Sequence, residues 1–200
     1  PLRTSSAASD VYKRQEHALG LARRGAKIVV NDLGGGVDGS GASDAANAVV
    51  DQIISEGGEA IANGASVTDL EAVQAMVNEA KEKWGRIDIL VNNAGILRDK
   101  SFHKDTIESF NAVMDVHFQG TLNCTHTVYP IMREQEFGRI IFTSSSSGVF
   151  GNFGQANYGS AKMAMVGLMN TLKLEGQKYN VFTNSITVSY THLRAHETIL

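Results

Sequence analysis

The feature that most constrains this chain is an alternation of apolar stretches of strand length with amphipathic stretches of helix length, from about Glu16 to Ile186. This pattern is typical of a parallel sheet covered by helices. The sequence therefore predicts a doubly wound α/β domain. Its successive strands are expected at KIVVND (27–32), EAIANGAS (59–66), IDILVNN (87–93), RIIFTSS (139–145) and VFTNSIT (181–187).

One intervening helix shows its buried face in the sequence. Between Thr68 and Trp84, apolar residues recur at spacings of three and four, which aligns them on one side of a helix. That stripe is expected to cover the sheet, and its members are Leu70, Val73, Met76, Val77 and Ala80.

Composition limits the classes of partner. Two hundred residues with 42% hydrophobic and 20% charged content fit one domain with its own core. The net charge is -3 and the Lys and Arg residues form no cluster, so neither nucleic acid nor an anionic membrane is expected as a partner.

The single cysteine, Cys124, is expected to be a small core residue in a protein of a reducing compartment. No apolar run reaches the roughly 18 residues of a membrane span, so a cytoplasmic protein is expected.

Both ends break the alternation. Residues 1–15 and 188–200 show neither a strand pattern nor matching turn chemistry, and they resemble foreign linker or read-through sequence. Divergent native termini are the alternative. The expected organisation is a non-family segment at 1–15, a core at 16–187 and a second non-family segment at 188–200.

The strongest chemical signal is the set Ser145, Tyr158 and Lys162, where a strand end leads through a glycine-containing loop into a helix. Tyr158 and Lys162 are four residues apart and share a helix face. A phenol with a pKa of about 10 exchanges protons poorly near neutrality unless a cation stabilises its anion. Lys162 is placed to do so, and Ser145 could hydrogen-bond a substrate oxygen during hydride transfer. A Tyr-x-x-x-Lys pair alone also occurs on ordinary solvated helices.

Two further motifs give the pattern its context: VVND (29–32) and NNAG (92–95), each at the end of a predicted strand. With the serine, tyrosine and lysine, in this order, the chain resembles the short-chain dehydrogenase/reductase family over about residues 16–187. Within that family, NDLGG (31–35), NNAGILRD (92–99) and GNFGQANY (151–158) are most similar to the 3-hydroxyacyl-CoA dehydrogenase domain of peroxisomal-type multifunctional β-oxidation enzymes. The resemblance implies a Rossmann-like sheet, here incomplete at both ends.

The resemblance also implies site roles. Tyr158 would be the acid/base, Lys162 would lower its pKa and hold the nicotinamide ribose, and Ser145 would position the substrate oxygen. Asp32 would bind the adenosine ribose, which favours NAD over NADP, although it could instead be a turn or capping aspartate. The implied cofactor-binding residues are Asp32, Ser66, Val67, Asn93, Tyr158 and Lys162. Any of the strand-end residues could be structural, and Asn92 is interpreted as such. The small Ala94 and Gly95 would let the backbone approach the dinucleotide.

Three departures from the family pattern stand out. The glycine-rich pyrophosphate loop expected just before Glu16 is replaced by residues 10–15, and the first strand is missing with it. The chain as given is therefore expected to bind NAD poorly, with two sheet edges exposed. His117 stands where many relatives have an asparagine, and it could relay a proton or simply pack. Past Ile186, the substrate lid and last strand of relatives are not recognisable.

The implied function is NAD-dependent hydride transfer between a secondary alcohol or ketone and the cofactor, with a 3-hydroxyacyl thioester as the expected substrate. The chain would be a homo-oligomer when complete and peroxisomal if eukaryotic. A 3-oxoacyl thioester reductase or steroid dehydrogenase of the same family is the enzymatic alternative. A non-catalytic Rossmann-like fragment is the alternative from another class. No metal is expected: His192, His196 and Glu197 lack a third ligand, and the serine run 144–147 has no obvious base for a hydrolase.

Overall fold

A computed structural model describes residues 16–34 and 44–188. The helices are α1 (16–22), α2 (Ala45–Ser55), α3 (Leu70–Trp84), α4 (Ile107–Met114), α5 (Gly120–Glu134), α6 (Ser146–Phe150) and α7 (Ala156–Gly176). The strands are β1 (Ile28–Asn31), β2 (Ala60–Asn63), β3 (Ile89–Asn92), β4 (Gly138–Ser145) and β5 (Val181–Val188). Short 3-10 turns cover Phe102–Lys104 and Gln177–Tyr179, and a π-helical turn, Asp115–Gln119, joins α4 to α5.

The strands form parallel pairs throughout the described residues. One sheet has the order β1-β2 and the other has the order β3-β4-β5. All five predicted strands are present, each within a few residues of its expected bounds. The predicted α/β class with a parallel sheet is therefore confirmed. Helices α5 and α7 both pack against β4, whose Ile140 and Phe142 are fully buried.

The two sheets approach each other along β1 and β3. Glu59, the residue before β2, contacts the segments that lead into both strands. Its carbonyl accepts from the Ile28 N–H at the start of β1 (3.0 Å), and its carboxylate accepts from Nε1 of Trp84, the last residue of α3 before β3 (2.6 Å). The first residues of β1 and β3 therefore lie at the same end of the two sheets. No described strand pairs with the facing edges of β1 and β3. A cavity of about 670 Å³ is lined by both strands and continues towards Tyr158 and Lys162.

Each sheet has its own apolar core. The first core joins α1, α2 and β2 through Leu19, Val49, Val50, Ile53 and Ala60. The second joins α3, α5, β4, α7 and β5 through Val77, Val128, Met132, Ile140, Phe142, Met165 and Val181. These two hydrophobic clusters lie on the two sides of the cavity, and a third, smaller cluster joins Ile96, Val113 and Tyr158.

Helix α3 illustrates how the local sequence determines where a helix begins and ends and which of its faces is buried. Asp69 accepts a hydrogen bond from the Ala72 N–H (3.1 Å) as N-cap, and Gly85 ends the helix in the left-handed region at φ 80°. Of the predicted stripe, Val73, Val77 and Ala80 are buried and Met76 is partly buried. Leu70 differs: it is the first residue of the helix, beside the cap, and is 42% exposed.

Several predictions concern residues outside the described ranges. Residues 1–15, Gly35 and 189–200, which include His192, His196 and Glu197, lie outside them. Within 16–34 and 44–188, every helix falls short of the length and apolarity needed to cross a bilayer. Cys124 is buried as predicted, and burial raises the pKa of its thiol to about 11.

Candidate active site

Tyr158 and Lys162 lie together at the start of α7. Both side chains are buried, and Lys162 Nζ lies 5.4 Å from the centroid of the Tyr158 ring. The ammonium also donates to the Thr143 carbonyl (2.5 Å), while Ser144 Oγ donates to the Lys162 carbonyl (3.1 Å). Strand β4 therefore fixes the lysine by two contacts. The predicted pairing of a phenol with a fixed cation is present.

Ser145 ends β4 and is the N-cap of α6. Its Oγ accepts a hydrogen bond from the Ser147 N–H (3.2 Å), and the residue is fully buried. The segment that follows packs on α7, since a Cβ on Gly159 would lie 2.9 Å from the Ser147 carbonyl oxygen. Ser145 is thus held near the first turn of α7. Unlike Tyr158 and Lys162, it does not line the cavity.

His117 occupies the π-helical turn and is 3% exposed. Its Nε2 lies 2.8 Å from the Ile96 carbonyl oxygen and 3.2 Å from the Ile96 nitrogen. One nitrogen cannot donate to the first and accept from the second at once, and the shorter distance favours an Nε2–H donor. The ring also meets the Tyr158 ring edge to face, with centroids 5.1 Å apart.

Burial dominates the electrostatics of His117. It lowers the pKa of the imidazole to about 3, with a further lowering by the Lys162 charge and an opposing effect of the Ile96 hydrogen bond. The ring is therefore neutral at physiological pH. Its Nδ1 is buried and has no hydrogen-bond partner among the described residues. Of the two roles predicted from the sequence, packing with a backbone hydrogen bond is the one visible in the geometry.

The proposed cofactor-binding residues meet around one cavity. Its lining includes Asp32, Ser66, Val67, Asn93, Tyr158 and Lys162. Asn92 is buried and donates to Thr125 Oγ1 on α5 (3.1 Å), which supports its structural interpretation. The Val67 carbonyl accepts from Asn123 (2.9 Å), so this strand end is tied to α5.

Asp32 has a contact within its own turn. Its Oδ1 accepts from the Gly34 N–H (2.8 Å), and Gly34 has a φ of 80°. This is the turn contact that the sequence offered as the alternative to ribose binding. One carboxylate can serve both roles, because each oxygen has two acceptor positions.

Gly95 has a packing constraint in addition to its predicted role beside the cofactor, and it lines the cavity. A Cβ at this position would collide with the His117 ring. The absence of a side chain is therefore required by the histidine, whatever else approaches the backbone from the cavity.

Asn157 is a site residue that the sequence did not single out. It is fully buried, and its Nδ2 donates to the Arg98 carbonyl (3.0 Å) and to Asp105 Oδ2 (3.0 Å), while its Oδ1 accepts from the Tyr158 N–H (2.6 Å). It joins the loop after β3 to Tyr158, the residue predicted to be the acid/base. The only sequence signal was its position next to Tyr158.

Comparison with known proteins decides the family. The family model described as short chain dehydrogenase matches residues 15–198. This chain belongs to the short-chain dehydrogenase family. Membership places it among oxidoreductases that use NAD or NADP.

Relatives within the family include domains of much longer proteins. The chain is 53% identical over 173 residues to the peroxisomal multifunctional enzyme type 2 of Drosophila melanogaster, covering 86% of this chain and 28% of that protein. It is 54% identical over 171 residues to the peroxisomal hydratase-dehydrogenase-epimerase of Saccharomyces cerevisiae, covering 85% of this chain and 19% of that protein. The chain thus spans less than a third of the length of either relative.

Solved structures agree with the fold. A short chain dehydrogenase from Mycobacterium avium superposes with a TM-score of 0.82 at 38% identity, over 95% of this chain and 67% of that one. The full-length Drosophila multifunctional enzyme gives a TM-score of 0.71 at 41% identity, over 92% of this chain and 29% of that one.

Proposed function

We propose that this chain is the dehydrogenase domain of an NAD-dependent enzyme that transfers a hydride between a 3-hydroxyacyl thioester and the cofactor. The observation that carries the proposal is the placement of Tyr158 and Lys162, buried together on a cavity that Asp32 also lines. The name of the yeast relative includes a dehydrogenase, and a Synechocystis relative is named 3-oxoacyl-[acyl-carrier-protein] reductase, which supports an acyl thioester as the substrate class.

The cavity offers polar groups to a dinucleotide. The carboxylate of Asp32, the amide of Asn93 and the ammonium of Lys162 are among its lining groups, whereas its volume of about 670 Å³ also includes the space between the facing edges of β1 and β3. Asp32 would hold the adenosine ribose, and its charge would repel the additional phosphate of NADP. Ser66 and Val67 would flank the adenine, Asn93 would lie near the nicotinamide end, and Lys162 would hold the nicotinamide ribose. NAD, when bound, supplies the hydride acceptor at its nicotinamide ring.

The proton follows a separate route. In oxidation, the substrate hydroxyl gives its proton to the Tyr158 phenolate oxygen as its carbon loses the hydride, and reduction reverses both transfers. Lys162 is the cation that stabilises the phenolate, because the Thr143 carbonyl holds its ammonium near the ring. Ser145 would donate to the substrate oxygen and fix its position.

A reductase working in the opposite direction is the second candidate. The chain is 40% identical over 173 residues to a 3-oxoacyl-[acyl-carrier-protein] reductase of Synechocystis, covering 67% of that protein. Tyr158, Lys162 and Ser145 would serve both oxidation and reduction. A dehydrogenase and a reductase would therefore differ in the cofactor that they use and in the position of the reaction equilibrium.

The test uses two proteins: the chain as printed, and a version in which residues 1–15 are replaced by a family-type strand and glycine loop and the chain is extended beyond Ile186. Both are titrated with NAD and NADP and assayed with 3-hydroxyacyl and 3-oxoacyl thioesters. We expect the second protein to bind NAD and to oxidise the 3-hydroxyacyl substrate. A protein that binds neither dinucleotide in either version would contradict the proposal and support a non-catalytic fragment.

The matched variant is Tyr158→Phe, which keeps the ring and removes the phenol oxygen. Turnover should fall to a few per cent or less, while NAD affinity is largely retained, because the hydroxyl acts in the chemical step. Retention of more than about a tenth of the turnover would show that another group moves the proton.

Compartment and assembly are part of the same proposal. The names of the Drosophila and yeast relatives place those proteins in peroxisomes, so a eukaryotic source would put this chain there, and a cytoplasmic location is the alternative.

A homo-oligomer would pack through the long helices near residues 105–133 and 156–178. Sedimentation of the extended protein tests this.

A further inference from the structure

The buried amide of Asn157, in the first turn of α7, contacts three backbone or side-chain groups at once. Its Nδ2 donates to the Arg98 carbonyl (3.0 Å) and to Asp105 Oδ2 (3.0 Å), and its Oδ1 accepts from the Tyr158 N–H (2.6 Å). The residue is fully buried. Rotation of this amide would leave buried donors and acceptors without partners, so its orientation is fixed. It therefore links two points of the loop after β3 (residues 93–106) to the backbone of Tyr158.

This link takes the place of an ordinary helix cap. Gln155 occupies the N-cap position of α7, but its side chain forms no capping hydrogen bond and donates to Asp99 Oδ2 instead (2.8 Å). The first N–H groups of a helix have no acceptor within the helix. Asn157 supplies an acceptor to one of them, the N–H of Tyr158. The position of the first turn of α7 therefore depends on the loop after β3.

The same loop also contacts the ring of Tyr158. Ile96 packs with the tyrosine in one apolar cluster, and the Ile96 carbonyl oxygen lies 2.8 Å from His117 Nε2. The His117 ring in turn meets the Tyr158 ring edge to face. The loop after β3 thus holds Tyr158 at two places, its backbone N–H and its ring.

Lys162 is held by a different element. Its ammonium donates to the carbonyl of Thr143 on β4 (2.5 Å). A shift of the first turn of α7 against the loop after β3 would therefore move the phenol oxygen while β4 still held the ammonium. Proton transfer requires the reacting atoms to lie within hydrogen-bond reach, so even a small shift would slow it.

We propose that Asn157 is a positioning residue of the candidate site, with Asp105 as its charged partner on the loop after β3. Its amide sets the place of the Tyr158 phenol and thereby the rate of proton transfer. Asn157 does not line the cavity, so it acts through Tyr158 and not by touching substrate or cofactor. This inference rests on the proposed function, because the step that it assigns to Asn157 is the proton transfer of that reaction.

The experiment uses the extended protein and follows the oxidation of 3-hydroxybutanoyl-coenzyme A by NAD. Asn157→Ala should lower kcat by roughly ten- to hundredfold, since a misplacement of about 1 Å can cost that much. The KM for NAD should change by less than about threefold, because the lost interaction acts in the chemical step. The solvent deuterium isotope effect on kcat should rise, because proton transfer becomes slower relative to the other steps.

The number of NAD sites, counted by titration calorimetry, corrects these values for any unfolded protein. A purely structural role would lower the number of sites and leave kcat per site, the KM and the isotope effect unchanged. That result would overturn the proposal, as would a fall in kcat per site with an unchanged isotope effect.

Asp99→Ala is the matched control. It removes the hydrogen bond from Gln155, which joins the same two segments, and leaves the three hydrogen bonds of Asn157 in place. We expect its kcat to stay within about threefold of the wild-type value, because Tyr158 keeps both of its supports. An equal loss of kcat in Asp99→Ala and Asn157→Ala would overturn the proposal, since any weakening between the two segments would then suffice.

Exchange of donor and acceptor tests the pairing itself. Asn157→Asp places a carboxylate against the Asp105 carboxylate and should lower kcat at least as far as Asn157→Ala, because like charges repel. In the double variant Asn157→Asp/Asp105→Asn a donor again faces an acceptor, and the new amide can still accept from the Thr106 N–H as Asp105 does (3.0 Å). It should recover kcat by roughly tenfold over Asn157→Asp. A double variant no faster than Asn157→Asp would overturn the proposal.

Hydrogen exchange in the chain as printed gives a measurement that needs no turnover. The Tyr158 amide should exchange faster in Asn157→Ala than in the wild type, relative to the Ile140 amide in the core around β4. An unchanged ratio would overturn the proposal. If the ratio changes as expected but the extended protein transfers no hydride, the proposed function fails and the positioning of Tyr158 by Asn157 stands.

Discussion

At the scale of single residues, His117 has the most unusual environment in the site. It is enclosed by the Ile96 backbone, Gly95 and the Tyr158 ring, and it stays neutral because burial disfavours its charge. A neutral ring cannot donate the additional proton of an imidazolium near pH 7. Among the described residues, it holds the loop after β3 against the ring of the tyrosine.

This environment predicts a dependence of stability on pH. The pKa of His117 is about 3 in the folded protein and about 6.5 in the unfolded chain, so only the unfolded chain gains this proton between those values. The free energy of unfolding should therefore fall by about 1.4 kcal/mol per pH unit below about pH 6 from this group alone. Urea unfolding of the wild type and of His117→Gln at several pH values checks this. Equal pH slopes in the two proteins would mean that the imidazole is protonated in the fold.

Asp32 gives the prediction for cofactor choice. Asp32→Ala should weaken NAD binding by roughly 1.5–3 kcal/mol, the range for hydrogen bonds to a charged group, and should relax discrimination against NADP. Asp32→Asn is the control, because its amide oxygen can still accept from the Gly34 N–H while the charge is lost. Calorimetry with both dinucleotides, on the version that binds NAD, measures the effects. An unchanged preference in both variants would leave Asp32 as a turn residue.

Some of these contacts could be predicted from the sequence, and others could not. The proximity of Tyr158 and Lys162 follows from their spacing on one helix, so it could be predicted without knowing the fold. The contact between His117 and Ile96 joins residues 21 apart, and no local spacing encodes it. The role of Asn157 is hidden for the same reason, because its partners Arg98 and Asp105 come from another loop.

At the scale of elements, the strands were the most predictable part. Each is a short apolar run whose end is marked by turn residues, and all five appear where the pattern places them. The π-helical turn at Asp115–Gln119 was not predictable, because its composition does not differ from that of an ordinary helix. It lies between α4 and α5 and carries His117, as such turns often carry a functional or packing group.

The fit between this turn and the loop after β3 can be tested at Gly95. Gly95→Ala would place a methyl group in the space of the His117 ring, so the ring or the loop must shift, at a cost of about 1–3 kcal/mol of unfolding free energy. Gly167→Ala is the matched control in α7, where an added Cβ meets nothing within 4 Å and should stabilise the helix by about 0.5–1 kcal/mol. Thermal and urea denaturation measure both. A stable Gly95→Ala protein would show that the ring can move away at little cost.

At the scale of the whole molecule, the described residues form two sheets with separate cores, joined by few polar contacts. Trp84 bonds Glu59 near one end of the strands, and Asn123 bonds the Val67 carbonyl near the other. Parallel strands in the middle of a sheet are normally buried on both faces. Here all four residues of β1 are only partly buried, and Ile89 of β3 is 41% exposed. The exposure of two sheet edges, expected from the lack of a recognisable first strand, stays a prediction, because residues 1–15 lie outside the described ranges.

Hydrogen exchange can resolve these edges amide by amide. The Ile28 and Asp32 N–H groups bond towards β2, so by the alternation of a parallel ladder Val29 and Asn31 direct their amides to the opposite edge. The Asp88 carbonyl accepts from the Arg139 N–H, so Ile89 and Val91 likewise point away from β4. These four amides should exchange faster than those of Val30 and Leu90, their neighbours in the same strands.

The same measurement in low concentrations of denaturant should show whether the two cores unfold together. The smaller core, built on α1, α2 and β2, should open at a lower free energy than the core around β4, because partial unfolding follows contiguous packed units. Val30 should then exchange through this local opening and Ile140 only through global unfolding. Equal protection of Val29 and Val30, with a single unfolding free energy for Val30 and Ile140, would mean that a further segment pairs between β1 and β3 and joins the two sheets into one.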